Sequence, residues 1–511
     1  MGATVPCNPT VRVHYTCSVE SLGACALHAS FTDGGVVRLA AAEILRSRLR
    51  GGRTGLTGVP VMLTVLALSG LLGGCTTPFD TYRASLEGMF AAGQYAQAAA
   101  QLDEAQAKGL YGSKNELLYW LDRGSVALAM EDQSTSLNMF EQAEGYMETS
   151  RGPTAGDEIA RWLINDTAAP FYGEPYEEQY VNVFKLLAQL ERGELQGGAT
   201  VEARRMAGKA DVLRQKYLRS IEQVQKAGAK QIGGFAVPPM TGLNKRFETS
   251  GGEFIESPLG IYLTAITFMK TGDSDLQSVA GRRLTTAINA QGNLIGPVKS
   301  ADFAGLGEQS PRDVNVLVVG LSGRGPTMVS QSFGPIPIYT YTLYFNLPVL
   351  TGGSAQADGA RVIIDEGAIP PQDLAFVEDM RKVATANHEA QLPLIYARTF
   401  LRSSMKAAAI TVGTEAARRS TSNNNTQSAI ELAGIIGGLL FVTLTEKADL
   451  RCWTFLPGQA HVGTLKLPPG EHTVRIEYLR GGRVLYSTPP QKVTASDRPG
   501  DLSTVVGSYW Q

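Results

Sequence analysis

Leu117-Leu118-Tyr119-Trp120-Leu121-Asp122-Arg123-Gly124-Ser125-Val126-Ala127, followed after a polar break by Ser136-Leu137-Asn138-Met139-Phe140-Glu141-Gln142-Ala143, is the stretch whose reading decides the fold. Trp120, Gly124 and Ala127 stand at offsets of four and seven, and so do Ser136, Phe140 and Ala143. Those offsets keep side chains on one face of an α-helix. A large side chain on one helix needs small ones opposite if the two backbones are to close. The spacing therefore predicts a helix pair over about Leu117 to Ser150, with Trp120 and Gly124 against the helix that carries Phe140.

The same pattern recurs on both sides. Upstream, Tyr82, Leu86 and Met89 form one face, Ala92 to Tyr95 a turn, and Ala98, Leu102 and Ala105 a second face. Downstream, Val183, Leu186, Leu187 and Leu190 precede a turn at Arg192-Gly193-Glu194 and a second face of Ala203, Met206 and Ala210. Gly197-Gly198 loosens that turn. A fourth unit spans Pro258 to Ala290, with Ile261, Ala265 and Phe268 before Thr271-Gly272-Asp273. Helix–turn–helix units of roughly 34 residues are of the tetratricopeptide kind; no unit buries its face alone, so stacking and a concave groove are expected.

Two inserts interrupt the array, 151–176 and 228–257. The first brings Tyr172, Tyr176 and Tyr180 close in sequence to Glu174, Glu177 and Glu178. Such a patch either packs an irregular insert onto a helix or forms the lip of a partner site. Tyr172, Tyr176, Tyr180 and Glu174 are the candidate partner-contact residues.

Past the helices the composition changes. Val314 to Leu321 is a β-branched run that reads as a buried strand, Ile336 to Leu347 as a half-exposed strand, and Arg361 to Asp365 as a third. Helices are expected from about Leu374 to Ala390 and from Pro393 to Thr411, the second opening on a first-turn proline. The apolar, glycine-containing stretch Ala429 to Leu444 reads as a buried helix or a contact with a partner or bilayer surface. Leu450–Leu456, His461–Leu467, His472–Leu479 and Arg483–Ser487 read as strands, with turns at Pro468-Pro469-Gly470-Glu471 and Arg480-Gly481-Gly482. The expected class is multidomain: an α-helical, tetratricopeptide-like N-terminal half, an α+β middle region and a small all-β C-terminal module resembling a β-sandwich. The expected boundaries are 1–74, 75–295, 296–446 and 447–511.

The N-terminus carries a processing signal. Arg46, Arg48, Arg50 and Arg53 precede an apolar run, Val59 to Leu72, which closes on Leu71-Leu72-Gly73-Gly74-Cys75. The run fits a signal core and is short of the ~18–20 residues a bilayer-spanning helix needs. Its order resembles the lipobox of bacterial lipoproteins, which makes Cys75 the lipidation site and first mature residue. The upstream residues read as a start codon assigned too far upstream, the alternative being a cytoplasmic extension. Thr76 after the cysteine, in place of an aspartate, favours the outer membrane facing the periplasm.

Composition excludes several classes. A formal net charge of −2 leaves no electrostatic footprint for nucleic acid. After Cys75 the one cysteine is Cys452, and His388, His461 and His472 have no Cys or His at ligand spacing, so no metal or cofactor is expected. Gly320-Leu321-Ser322-Gly323-Arg324-Gly325 lacks both the G-x-S-x-G spacing and a following Lys-Ser/Thr, so no catalytic residue is nominated.

Five segments together resemble a poorly characterised family of bacterial envelope lipoproteins with a tetratricopeptide-like N-terminal half: Asn115 to Gly124, Gly173 to Glu177, Glu202 to Arg205, Gln391 to Arg398 and Ala448 to Arg451. The resemblance implies a fold and a location, and no activity. The expected function is that of a non-enzymatic, lipid-anchored periplasmic scaffold whose helical repeats bind an envelope protein or peptide. The alternative is an envelope hydrolase or glycan-binding enzyme acting on cell-wall or polysaccharide substrate.

Overall fold

In the computed structural model the chain divides into two compact units, Met1–Thr77 and Pro78–Gln511. The structure describes three short strands of the first (Arg12–Cys17, Cys25–Ser30 and Val36–Val37) and, of the second, residues 78–149, 170–228, 255–295, 310–338, 341–420 and 448–511. Cys75 and the apolar stretch 429–444 lie outside the described residues.

The larger unit begins with helices: α1 (Pro78–Ala91), α2 (Tyr95–Ala107), α3 (Glu116–Ala129), α4 (Gln133–Thr149), α5 (Pro175–Glu191), α6 (Thr200–Gly228), α7 (Pro258–Thr271) and α8 (Ser274–Ile295). They pack as successive hairpins, each against the next. Gly124 lies beneath the ring of Phe140; a Cβ there would sit 2.7 Å from Cε1, so only hydrogen lets α3 and α4 close this far. Between α5 and α6 a π-helical turn, Leu195–Ala199, absorbs Gly197-Gly198, and a Cβ on Gly198 would strike Gln189 at 2.4 Å. Local signals start and stop the helices. α5 opens on a capping box between Glu174 and Glu177 with Pro175 in its first turn. α7 ends on Gly272 in the left-handed region, φ 78°.

Ten strands follow: β1 (Val316–Arg324), β2 (Thr327–Ile338), β3 (Tyr341–Thr351), β4 (Gly359–Ile364), β5 (Ile369–Asp379), β6 (Pro457–Leu465), β7 (Gly470–Arg480), β8 (Arg483–Ser487), β9 (Gln491–Ala495) and β10 (Ser503–Tyr509). β2 and β3 form a separate antiparallel ribbon. The other eight make one mixed sheet in the order β8-β7-β4-β5-β6-β1-β10, with β9 also on β7. β10 runs parallel to β1 and the remaining pairs are antiparallel.

The sheet curls into a half-barrel. Along β1, Val316 and Val318 face its interior with Val362, Leu374, Val474, Ile476 and Val505. Leu317, Val319 and Leu321, one residue out of phase, pack with the helices. Alternation thus feeds two cores from one strand, and β1 is apolar on both faces for that reason. The two edges approach each other, and side chains bridge them. Tyr478 Oη donates to the Gly507 carbonyl at 2.6 Å, Ser503 Oγ to the Thr494 carbonyl at 2.7 Å, and Tyr486 stacks on Tyr509 with centroids 5.2 Å apart. Gly507 is needed there, since a Cβ would meet Ile476 and Thr488 at 2.9 Å.

This architecture corrects the expected class. There is no small all-β C-terminal module: β6 lies between β5 and β1, so strands from both sides of α9 (Met380–Arg419) interleave in one sheet. Apolar alternation marks a strand and leaves its partner undecided; β6 pairs with β1 along a register from Val316↔Leu465 to Arg324↔Pro457. Four local expectations also change: Ile336 to Leu347 is not one strand but is divided between β2, which ends at Ile338, and β3, which begins at Tyr341. Leu374 to Asp379 belongs to β5, and the helix begins at Met380, capped by Asp379. That helix runs unbroken through Pro393, because packing on β3, α5 and α6 outweighs one lost donor. Leu450–Leu456 is not a strand of the sheet.

Candidate functional site: the helical face and its occupant

The face formed by α1, α3 and α5 is occupied by the chain's own segment Ala448 to Leu456. Its backbone is read by carboxylates. Trp453 N donates to Glu177 Oε1 at 2.6 Å, and Thr454 N donates to Asp122 Oδ1 at 3.0 Å. The Thr454 hydroxyl donates to Asp122 Oδ2 at 3.0 Å, and Trp453 Nε1 donates to Ser125 Oγ at 2.8 Å. Arg83 reaches the Cys452 carbonyl at 3.5 Å and its Sγ at 3.4 Å. Trp453 is 2% exposed and lies among Phe140 and Phe184, with centroids 5.6 and 5.5 Å away. An irregular segment on a helical face leaves N–H groups without ladder partners, and buried carboxylates supply the acceptors.

Burial pushes the Asp122 carboxyl up to about 7, against the pull of Arg83 and the two Thr454 donors. Burial likewise raises the Cys452 thiol. A second carboxylate joins the helices to the sheet. Glu378 accepts from Tyr180 Oη (2.6 Å), Ser257 Oγ (2.6 Å) and Leu259 N (2.9 Å), and burial raises it to about 7 despite these donors. Around α5, Lys185 lies 2.7 Å from Glu144 and 3.0 Å from Glu202, and Lys209 lies 3.1 Å from Glu178. These charges are buried because α5 has neighbours on every side.

The four candidate partner-contact residues do not form one surface. Tyr176 is 1% exposed and Tyr180 0%, so neither can anchor an outside chain. Glu174 caps α5 and stands 3.5 Å from His388 Nδ1; His388 Nε2 lies 3.1 Å from the Pro348 carbonyl. Burial opposes protonation of His388, yet Glu174 and that carbonyl hold its pKa above the ordinary value. Of the three tyrosines, only Tyr172 stays half-buried, as Glu174 does. The Tyr172 ring stacks on Tyr146 (6.3 Å, 16°), which meets Trp120 edge-on (5.6 Å, 66°). Trp120, Tyr146 and Tyr172 make a half-buried aromatic strip across α3, α4 and the entry to α5. The four-residue spacing of the tyrosines suggests one helical face, but the helix starts at Pro175, after Tyr172.

Asp122, Ser125 and Trp453 were not marked as site residues by the sequence. The one signal was a carboxylate, Asp122, within a largely apolar stretch of helix, which gives no hint of a partner more than three hundred positions away. Ser322 is 1% exposed, with no hydrogen-bond partner for its hydroxyl among the described residues. Among the described residues no group of three or more His, Cys, Asp or Glu is placed to hold a metal ion, and no helix is long and apolar enough to cross a membrane. No protein-family model, curated protein or solved structure matches the chain.

Proposed function

We propose that the protein is a lipid-anchored scaffold of the cell envelope, held by a lipid on Cys75 at the periplasmic face of the outer membrane, and that it binds a protein or peptide partner without catalysing a reaction on it. The observation that carries this reading is the occupied helical face. The array already holds an irregular segment of the chain through backbone N–H groups on Asp122 and Glu177 and an indole on Ser125. A surface built in this way recognises the backbone of a peptide chain.

Because the chain's own segment fills that face, the partner surface is placed on the aromatic strip of Trp120, Tyr146 and Tyr172. Aromatic rings give contact area at small entropic cost and are frequent anchors. The test is site-specific photo-crosslinking in intact cells, with the crosslinking residue placed at Tyr172, at Trp120 and at exposed Val212 on α6 as the control. A discrete adduct from the first two positions, absent from the third, is the expected result. Equal labelling at all three removes the strip as the contact surface. Turnover of peptidoglycan or glycan fragments by the purified protein, lost with one carboxylate substitution, overturns the scaffold reading.

A further inference from the structure

His388, on α9, is 1% exposed, and both of its ring nitrogens face acceptors. Nδ1 stands 3.5 Å from Glu174 Oε2 at the head of α5, and Nε2 stands 3.1 Å from the Pro348 carbonyl on β3. A neutral imidazole carries one N–H, and the imidazolium carries two. The neutral ring can therefore donate to one of these partners and turns a lone pair on the other. The cation donates to both. Three elements meet at this side chain, and its protonation state sets whether all three are tied.

The charged groups around it favour the cation. Burial opposes protonation, but Glu174, the Pro348 carbonyl and Glu389 on α9 itself outweigh it and hold the pKa above the ordinary 6.5. The ribbon brings no opposing charge, since Thr327 to Thr351 contains no Asp, Glu, Lys, Arg or His. Of the two partners the ribbon is the less firmly held. β3 pairs with β2 alone, so its outer carbonyls have no ladder partner. Glu174 is fixed independently: it shares a capping box with Glu177, and it follows Gly173, where a Cβ would meet Met147 at 2.3 Å. We propose that His388 is a pH-sensitive latch, which as the imidazolium fastens the base of the β2–β3 ribbon to α9 and the head of α5, and as the neutral ring releases it. The sign follows from the raised pKa: the latch is closed at low pH and opens as pH rises through the folded-state value. Met328, Leu347 and Leu350, buried at the ribbon's base, gain exposure when it opens. The latch does not depend on the scaffold reading.

Peroxide oxidation of the full chain between pH 5.5 and pH 8.5 tests it. Sulfoxide at Met328, which is 7% exposed, is read by peptide mass spectrometry against that at Met130, which is 39% exposed. In the wild type the ratio should rise about three-fold or more with pH, as Met328 becomes accessible. In His388→Gln it should stay flat, because the amide does not titrate. Asp122 and Glu378 ionise over an overlapping range but are unchanged in that variant, so their effect is subtracted. Glu174→Gln keeps an acceptor for the cap and removes the charge; it should move the midpoint of the rise to lower pH by about half a unit or more. Circular dichroism checks the fold, and if His388→Gln does not fold, Glu174→Gln decides. A flat ratio in the wild type, the same rise in His388→Gln, or an unchanged midpoint in Glu174→Gln overturns the proposal.

Discussion

The backbone N–H of Trp453 donates to the carboxylate of Glu177 at 2.6 Å, across 276 positions of sequence. The same carboxylate accepts from Glu174 N at 2.7 Å, through its other oxygen. One side chain therefore caps a helix and fastens the segment that leads into the sheet. Helices and sheet are joined by buried polar contacts of this kind, and the first consequences concern that joint.

Trp453→Ala should destabilise the larger unit by about 3–5 kcal/mol, as truncation of a buried aromatic does. Ser125→Ala, which leaves the buried indole N–H without an acceptor, should cost about 1–3 kcal/mol. Urea denaturation followed by circular dichroism measures both. A loss below 1 kcal/mol for Trp453→Ala would show that the segment is not part of the core.

Gly124→Leu should force α3 from α4, because even a Cβ would approach Phe140 to 2.7 Å. Overpacking of this sort costs about 1–3 kcal/mol or more. Pairing with Phe140→Ala should recover part of the loss, and a double-mutant cycle reads that coupling. Strict additivity would mean the two residues do not touch.

Lys185 is 1% exposed between Glu144 and Glu202. Lys185→Met leaves two buried carboxylates without their central cation, and a loss of about 3–5 kcal/mol is expected. Neutralising the acids as well, in Lys185→Met/Glu144→Gln/Glu202→Gln, should return part of it. If the triple variant is no more stable than the single one, the cluster contributes through packing and not through charge.

His461 gives a pH dependence with a definite sign. Burial lowers its pKa from 6.5 to about 4, so the folded protein takes up this proton less readily than the unfolded chain. Its contribution is complete above pH 6.5 and is lost as pH falls toward 4. The full loss is roughly 3 kcal/mol at 1.36 kcal/mol per unit. Asp122 and Glu378, both raised to about 7, slope the opposite way over an overlapping range. The readout is therefore the difference in stability between wild type and His461→Phe at pH 7 and pH 4.5. A difference that does not change with pH would contradict a neutral, buried His461.

Cys75→Ser should leave the protein unprocessed or free in the periplasm. Radiolabelled palmitate incorporation and membrane fractionation check this. Label and fractionation unchanged in the variant would remove the lipid anchor from the proposed function.

The periodicity of Trp120, Gly124, Phe140 and Ala143 was enough to locate a close-packed helix pair, because a helical face is set by residues a few positions apart. The turns at Arg192-Gly193-Glu194 and Thr271-Gly272-Asp273 were readable for the same local reason, and so were the apolar runs that become β1 and β4. The fate of Leu450 to Leu456 was not readable. Its apolar pattern suits a strand, and only the assembled α1, α3 and α5 offer Asp122, Ser125 and Glu177 as its partners. Tyr176 and Tyr180 resemble surface anchors in sequence, yet α5 is enclosed by its neighbours and both are buried. The order of strands in the sheet was beyond local pattern too, since alternation sets which face of a strand is apolar and not which strand lies beside it. Local spacing thus determined the helical hairpins of the first half, their turns and the two-faced apolar character of β1. Long-range packing alone decided the single curled sheet, its interleaved strands and the segment seated on the helices, because those depend on burial and hydrogen-bond partners that exist only once distant parts of the chain have met.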